Sequence, residues 1–220
     1  MVEGQVGKAK QEIKHMKYAL VSVEDNKTDV FNSIRQSEGV VLKNLSDVEY
    51  NSLIKMINKS VFQGKVDIKM VLTDCDGCLT DGGMYYSEKG DELKKFNTKD
   101  GMAFKLLREH GILTGIITGE NVELNRRRAE KLKLDIYESG CTDKATCIKN
   151  ICVEKNIDLS NVLYVGDDIN DIEVLKIVGY GCAPADAIDE VQSVAKYITK
   201  AKGGEGVIRE ITDRIVLVTV

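Results

Sequence analysis

Hydrophobic positions in this chain fall into two kinds of run. From residue 67 onward, short stretches that are apolar almost throughout alternate with longer stretches in which apolar residues recur every three or four positions. "IKMVLTD", "ILTGIITG" and "NVLYVGDD" are of the first kind and predict buried strands, with "DIYESG", "YGCAPADA" and "KYITK" as shorter companions. "DGMAFKLLREHG", "NVELNRRRAEKLKL", "DKATCIKNICVEKN", "NDIEVLKIVG" and "IDEVQSVA" predict helices, and the glycine loop "GGEG" leads into a last one, "VIREITDRIVLVTV". In the second of these, Asn121 or Asn125 is expected near the helix start. "GGMYYSEKGDELKKFN" is different: two short segments flank the turn residues "SEKGD", which predicts a β-hairpin. Strands that are apolar on both faces, alternating with helices, predict an α/β fold: a doubly wound parallel sheet covered on both sides, with the hairpin after its first strand.

The pattern changes before residue 67. "KYALVSVED" and "GVVLKN" predict strands, "KTDVFNSIRQSE" a helix, and "SDVEYNSLIKMINKS" a helix capped by Ser46 with Glu49 at the capping-box position. We therefore divide the chain into residues 1–66, a small appendage whose role the sequence does not reveal, and residues 67–220, the α/β domain.

Composition narrows the field. Hydrophobic residues are 43% and charged residues 30% of the chain, as in ordinary globular proteins. A net charge of −4 offers no attraction to nucleic acid or to an anionic membrane, so neither is expected as a partner. The amino terminus has lysines but no apolar core of a signal peptide, which predicts a cytoplasmic protein. The two histidines, His15 and His110, stand away from the cysteines, and a Cys/His zinc site is poorly supported. The Cys75–Cys78 pair has neither partner ligands nor the strand-then-helix setting of a redox motif, so both thiols are expected to be buried and inert.

Chemistry is expected where strands end, because ligands of such sheets sit beyond the carboxyl ends of their strands. Asp74 and Asp76 follow the first strand, Thr118 and Gly119 the second, and Asp167 and Asp168 a third, with Asp171 three residues on and Lys144 at a helix entrance. Taken singly, each is an ordinary turn carboxylate, surface lysine or helix cap. Together they suit phosphoryl transfer. One carboxylate can attack phosphorus, and its neighbour two residues on can protonate the departing alkoxide and then deprotonate water. Lys144 and Thr118 can hold phosphoryl oxygens, and carboxylates from separate strands can seat a hard ion such as Mg²⁺.

The ordered set "DCDGCLTDG", "ITGE", "DK" and "GDDINDIEVL" resembles the haloacid dehalogenase (HAD) phosphatase superfamily, over about residues 68 to 215. The resemblance implies Asp74 as nucleophile, Asp76 as general acid/base, Thr118 and Lys144 as phosphate ligands, and Mg²⁺ held by Asp74, Asp167 and the main-chain carbonyl of Asp76. Asp168 and Asp171 would support these, Asp171 by orienting Lys144. "LTDGGMYYSEKGDELKKFNTKDG", "RRRAEKL", "GYGCAPADA" and "GGEGVIRE" are similar to the branch without an inserted cap that hydrolyses 3-deoxy-2-keto sugar acid phosphates. That branch implies a homotetramer in which a neighbouring subunit completes the active site.

Within the branch, enzymes for 3-deoxy-manno-octulosonate (KDO) 8-phosphate usually carry Arg after Thr-Gly. This chain has Glu120, as enzymes for nonulosonate 9-phosphates do (2-keto-3-deoxynonulosonate, KDN, or an N-acylneuraminate). The expected substrate is therefore a nonulosonate 9-phosphate, with KDO 8-phosphate as the alternative, to which "KDG" at 99–101 is closer. Gly119, Glu120, Arg128, Lys131 and Arg209 are the expected substrate-binding residues. Two readings of other classes stay open. A phosphorylated receiver domain uses the same residue types in a different order, and an enzymatically silent oligomerisation module of a cytidylyltransferase-type fusion would need none of them.

Overall fold

The computed structural model describes residues 18–21, 39–42, 62, 67–88 and 90–217. Strands β1 (Tyr18–Val21) and β2 (Gly39–Leu42) form a parallel pair of their own, at the places where the amino-terminal pattern predicts strands. The two helices expected at 27–38 and 46–60 lie outside the described residues.

The α/β domain is a six-stranded parallel sheet in the order β10-β9-β8-β3-β6-β7. Its strands are β3 (Met70–Thr73), β6 (Leu113–Ile117), β7 (Ile136–Glu138), β8 (Val162–Val165), β9 (Tyr180–Ala183) and β10 (Tyr197–Ile198). Between β3 and β6 lie the antiparallel hairpin β4 (Tyr85–Ser87) and β5 (Gly90–Leu93), and helix α1 (Thr98–Glu109). The remaining helices are α2 (Glu123–Leu132), α3 (Lys144–Lys155), α4 (Ile172–Ile177), α5 (Asp189–Val194) and α6 (Val207–Leu217).

The apolar strands are explained by burial on both faces. Met70 and Leu72 of β3, with Val162 and Tyr164 of β8, pack against Ile148 and Ile151 of α3 and Val174 and Leu175 of α4. Val71, Leu163 and Val165 point the other way, against Phe104 and Leu107 of α1 and Ile208 and Ile211 of α6. The period of two in the strands thus splits one apolar run between two cores.

Helix α2 starts at Glu123, with Asn121 just before it and Asn125 in its first turn, as expected. Neither asparagine caps it: Val122 precedes the first turn, Asn121 accepts a hydrogen bond from the Ser139 hydroxyl at 3.2 Å, and Asn125 is buried inside the helix. The segment after β8 differs from the single helix expected there, opening as a 3-10 turn (Ile169–Asp171) before α4 begins.

Topology sets the place of the site. Strand β3 is central, and the chain leaves it to one side through β6 and β7, then returns to the other side through β8. The crevice between the ends of β3 and β8 is where helices of the two faces diverge, and a ligand can enter there.

Candidate active site

The register aligns Thr73 with Ile116 of β6 and with Val165 of β8, so residues just past each of these strands open into one crevice. Asp74 follows directly, its main-chain N–H donating to Val165 O at 2.8 Å. Asp74 is 7% exposed, and its carboxylate is held from two directions. The Cys75 N–H donates to Oδ1 at 2.7 Å, and Lys144 Nζ stands 2.8 Å from Oδ2. Lys144 is the first residue of α3 and is 1% exposed, and its ammonium also donates to Asp171 Oδ1 at 2.8 Å.

Asp171 organises the acidic end of the crevice. It is fully buried, and all its partners are donors: Lys144, the Tyr164 hydroxyl at 2.6 Å, and the main-chain N–H groups of Asp167 at 3.0 Å and Asp168 at 3.4 Å. It therefore anchors Lys144 and shapes the loop that carries Asp167. Asp168 is exposed and caps the following turn, accepting from the Ile169 N–H at 2.7 Å. Asp167 is half-buried, and the Cys78 thiol donates to its Oδ1 at 3.5 Å.

Oxygens of Asp74, Asp167 and Asp171 lie within 4.8 Å of one another. Such crowding is costly. Burial first, and the Asp171 charge second, push the Asp74 carboxyl up to about 6. Burial, then Asp74 and Asp171, push Asp167 up to about 7. Burial alone would lower the Lys144 pKa, but Asp74 and Asp171 together hold it above its ordinary value. One lysine thus faces three carboxylates, and a hard divalent ion on Asp74 and Asp167 would relieve the excess negative charge. The donor set fits Mg²⁺: oxygen ligands on neighbouring strand ends, with no thiolate or imidazole among the three.

The approach is tight. Gly77 has φ +74, and a Cβ there would meet Asp167 Oδ2 at 1.9 Å, so the turn after Asp76 admits only glycine. Gly203 closes over the same turn, since a Cβ on it would lie 2.1 Å from Gly77 O. The "GGEG" loop is therefore a wall of the crevice.

Thr118 is 2% exposed at the end of β6. Its Oγ1 accepts the Glu120 N–H at 3.3 Å, and its main chain bonds to Glu138 O and Cys141 N at 2.9 and 3.0 Å. Strand order, register and burial therefore bring Asp74, Asp76, Thr118, Lys144, Asp167 and Asp171 to one end of the sheet.

Comparison with known proteins decides the family. A model of the haloacid dehalogenase-like hydrolases matches residues 120–211. The chain is 35% identical over 157 residues to the 3-deoxy-D-manno-octulosonate 8-phosphate phosphatase KdsC of Yersinia pestis, covering 71% of this chain and 84% of that protein. This chain belongs to the haloacid dehalogenase-like hydrolases. Its structure resembles the Moraxella catarrhalis KDO 8-phosphate phosphatase, solved with magnesium, phosphate and KDO, at TM-score 0.70 and 32% identity over 72% of this chain and 91% of that one. The cobalt-bound Haemophilus influenzae enzyme of the same name superposes at TM-score 0.67 and 30% identity, over 69% and 88%.

This hydrolase is accordingly a phosphoric monoester hydrolase with the α/β fold expected from its patterning. Its expected substrate-binding residues lie on three elements: Gly119 and Glu120 just past β6, Arg128 and Lys131 on α2, and Arg209 on α6. Gly119 is exposed and Glu120 half-buried at the rim. The Arg128 guanidinium lies 5.0 Å over the Phe96 ring and donates to Asn97 O at 3.0 Å. Lys131 is exposed in the last turn of α2. Arg209 ion-pairs with Asp213 at 2.8 Å along α6. Arg128 and Arg209 thus spend hydrogen bonds on this chain's own groups. Cys75 and Cys78 are buried, and burial raises both thiols, as expected of inert cysteines.

Sequence reasoning missed three groups of this hydrolase. Lys94, just past β5, places its ammonium 2.7 Å from Asp76 Oδ2 and 2.5 Å from Glu120 Oε2. Tyr164, read only as a strand residue, supplies a hydroxyl to Asp171. Asp100 of α1 is 1% exposed, accepts the Arg209 N–H at 3.0 Å, and so caps the first turn of α6 from another helix. Burial pushes its carboxyl up to about 6. A lysine in the hairpin's second arm and an aspartate next to a glycine gave no local signal of these partners.

No helix among the described residues is long and apolar enough to cross a membrane.

Proposed function

We propose that this phosphatase hydrolyses a 3-deoxy-2-keto sugar acid phosphate with Mg²⁺, and that the substrate is KDO 8-phosphate. The observation that carries the reaction is the meeting of Asp74, Lys144 and Asp171 at 2.8 Å contacts beside Asp167, at the ends of adjacent strands. The substrate rests on the Yersinia and Moraxella relatives, both named for KDO 8-phosphate. This reverses the order expected from Glu120 alone. Glu120 is engaged by Lys94, so its charge weighs less against an octulosonate than an unpaired carboxylate would.

The chemistry runs in two halves. An Asp74 oxygen bonds to phosphorus while the ester P–O bond breaks, and the leaving oxygen takes the proton of Asp76. Asp76 then takes a proton from water, the water oxygen bonds to phosphorus, and Asp74 departs as a carboxylate. Lys144 and Thr118 hold the phosphoryl oxygens, and Asp171 keeps Lys144 in place. Bound Mg²⁺ supplies positive charge to the transferring group, with Asp74, Asp167 and the Asp76 carbonyl as its protein ligands.

A second reading, a nonulosonate 9-phosphate, is favoured by Glu120 itself, an anion at the rim two residues past Thr118 where a longer polyol could donate hydroxyls. Phosphate release with Mg²⁺ from KDO 8-phosphate, KDN 9-phosphate and N-acetylneuraminate 9-phosphate separates the two. The highest kcat/KM is expected on KDO 8-phosphate; a nonulosonate ahead of it establishes the second reading, and no release from any of the three overturns both.

The homotetramer, with a neighbour completing the site, belongs to the same proposal. It is supported by the hairpin, where Tyr85, Tyr86 and Leu93 are 59%, 67% and 63% exposed. We further propose that residues 67–220 carry the activity with 1–66 as an appendage, and that the free cysteines fit a reducing cytoplasm.

A further inference from the structure

We propose that Lys94 is a positioning residue that clamps Asp76 and couples it to the rim residue Glu120; this rests on the phosphatase reading above. The Lys94 side chain is 1% exposed, whereas Asp76 and Glu120 are 28% and 37% exposed. Its ammonium is the buried centre of the bridge, with Asp76 Oδ2 at 2.7 Å on one side and Glu120 Oε2 at 2.5 Å on the other. The other Asp76 oxygen accepts the Thr80 hydroxyl at 3.1 Å, and Thr80 Oγ1 in turn accepts the Gly82 N–H at 3.2 Å. Asp76 is therefore gripped at both oxygens by groups from two different segments.

The three residues of the bridge come from separate parts of the chain. Asp76 follows β3, Lys94 follows β5, and Glu120 follows β6. A substrate hydroxyl or carboxylate that engages Glu120 must compete with, or add to, its contact with Lys94, and the same ammonium holds the group that delivers the proton. Rim occupancy and proton delivery then share one cation. Lys144 has a different task, facing Asp74 and Asp171 on the nucleophile side. The two buried lysines divide the site into a nucleophile half and a leaving-group half.

The test uses two esters of different leaving group. The alcohol of a sugar-acid phosphate leaves only with a proton, whereas p-nitrophenolate leaves without one, so only the first needs Asp76 as acid in the first half. The second half needs Asp76 as base with either ester, so the first half is read alone, as the single-turnover rate of alcohol or p-nitrophenolate release. Lys94→Met is expected to lower the single-turnover rate of sugar-acid release from KDO 8-phosphate about 10–100-fold, with less than about fivefold loss in the single-turnover release of p-nitrophenolate from p-nitrophenyl phosphate. Lys94→Arg is expected to recover most of the lost rate on the sugar ester. Equal losses on the two esters, or no loss on either, overturn the proposal. Lys94→Gln, read in the same way, serves if Lys94→Met does not fold, as judged by circular dichroism. Wild-type protein that releases no phosphate from any sugar-acid ester instead overturns the phosphatase reading, and the role of Lys94 with it.

Discussion

Asp171→Asn is the substitution that most directly probes how the site is built. The two side chains have the same shape, so cavity effects are small and the change is one of charge and hydrogen-bonding sense. Asp171 is fully buried and accepts from four donors, among them the Lys144 ammonium at 2.8 Å and the Tyr164 hydroxyl at 2.6 Å. An asparagine must turn its NH₂ toward either that pair or the main-chain N–H groups of Asp167 and Asp168. Breaking a buried ion pair costs about 3–5 kcal/mol. Lys144 keeps Asp74, and loss of the Asp171 charge also eases the repulsion on Asp74 and Asp167, so the net loss should be nearer about 2–3 kcal/mol. For a domain of this size that is a fall in Tm of about 5–10 °C. With Lys144 less firmly placed, kcat should fall about 10–100-fold. Guanidinium unfolding and phosphate release on the same preparation check both numbers. A stability loss below about 1 kcal/mol together with an unchanged kcat would refute the view that Asp171 anchors the lysine.

Asp74→Asn should reduce phosphate release by about 10³-fold or more while the protein stays folded, because it removes the attacking carboxylate; a retained rate measured by phosphate detection would assign the nucleophile elsewhere. Metal removal should interact with pH. With Asp74 and Asp167 raised to about 6 and about 7, folded protein without metal holds protons that the unfolded chain releases near the ordinary carboxylate value. Stability from these groups is therefore full below about pH 4 and lost as pH rises toward 7. The Tm gained on adding Mg²⁺ should accordingly grow from pH 5 to pH 7.5, as proton release frees the ligands, and a gain independent of pH in a thermal scan would contradict this. Asp100→Ala should cost about 1–2 kcal/mol by uncapping α6, with urea unfolding as the measure. No measurable loss would show that the contact between Asp100 and the Arg209 N–H contributes little.

The alternation of strands and helices could be read from the chain because burial periodicity is local. Met70 to Thr73 or Val162 to Val165 must be apolar to sit between two helical layers, wherever their neighbours lie. Asp74, Thr118 and Asp167 could be placed at one end of the sheet for the same reason, since parallel strands share one carboxyl edge, and the motifs around them carried the family resemblance. Tertiary structure decided the pairings. That Asp171 takes Lys144, Tyr164 and two main-chain N–H groups at once depends on how α3 and β8 approach each other. That Lys94 reaches Asp76 and Glu120 depends on the path by which the chain returns from the hairpin to α1. That Asp100 caps α6 depends on the packing of two helices far apart in the chain. Periodic burial is written residue by residue, whereas the partner of a buried charge is settled only when distant segments close around it.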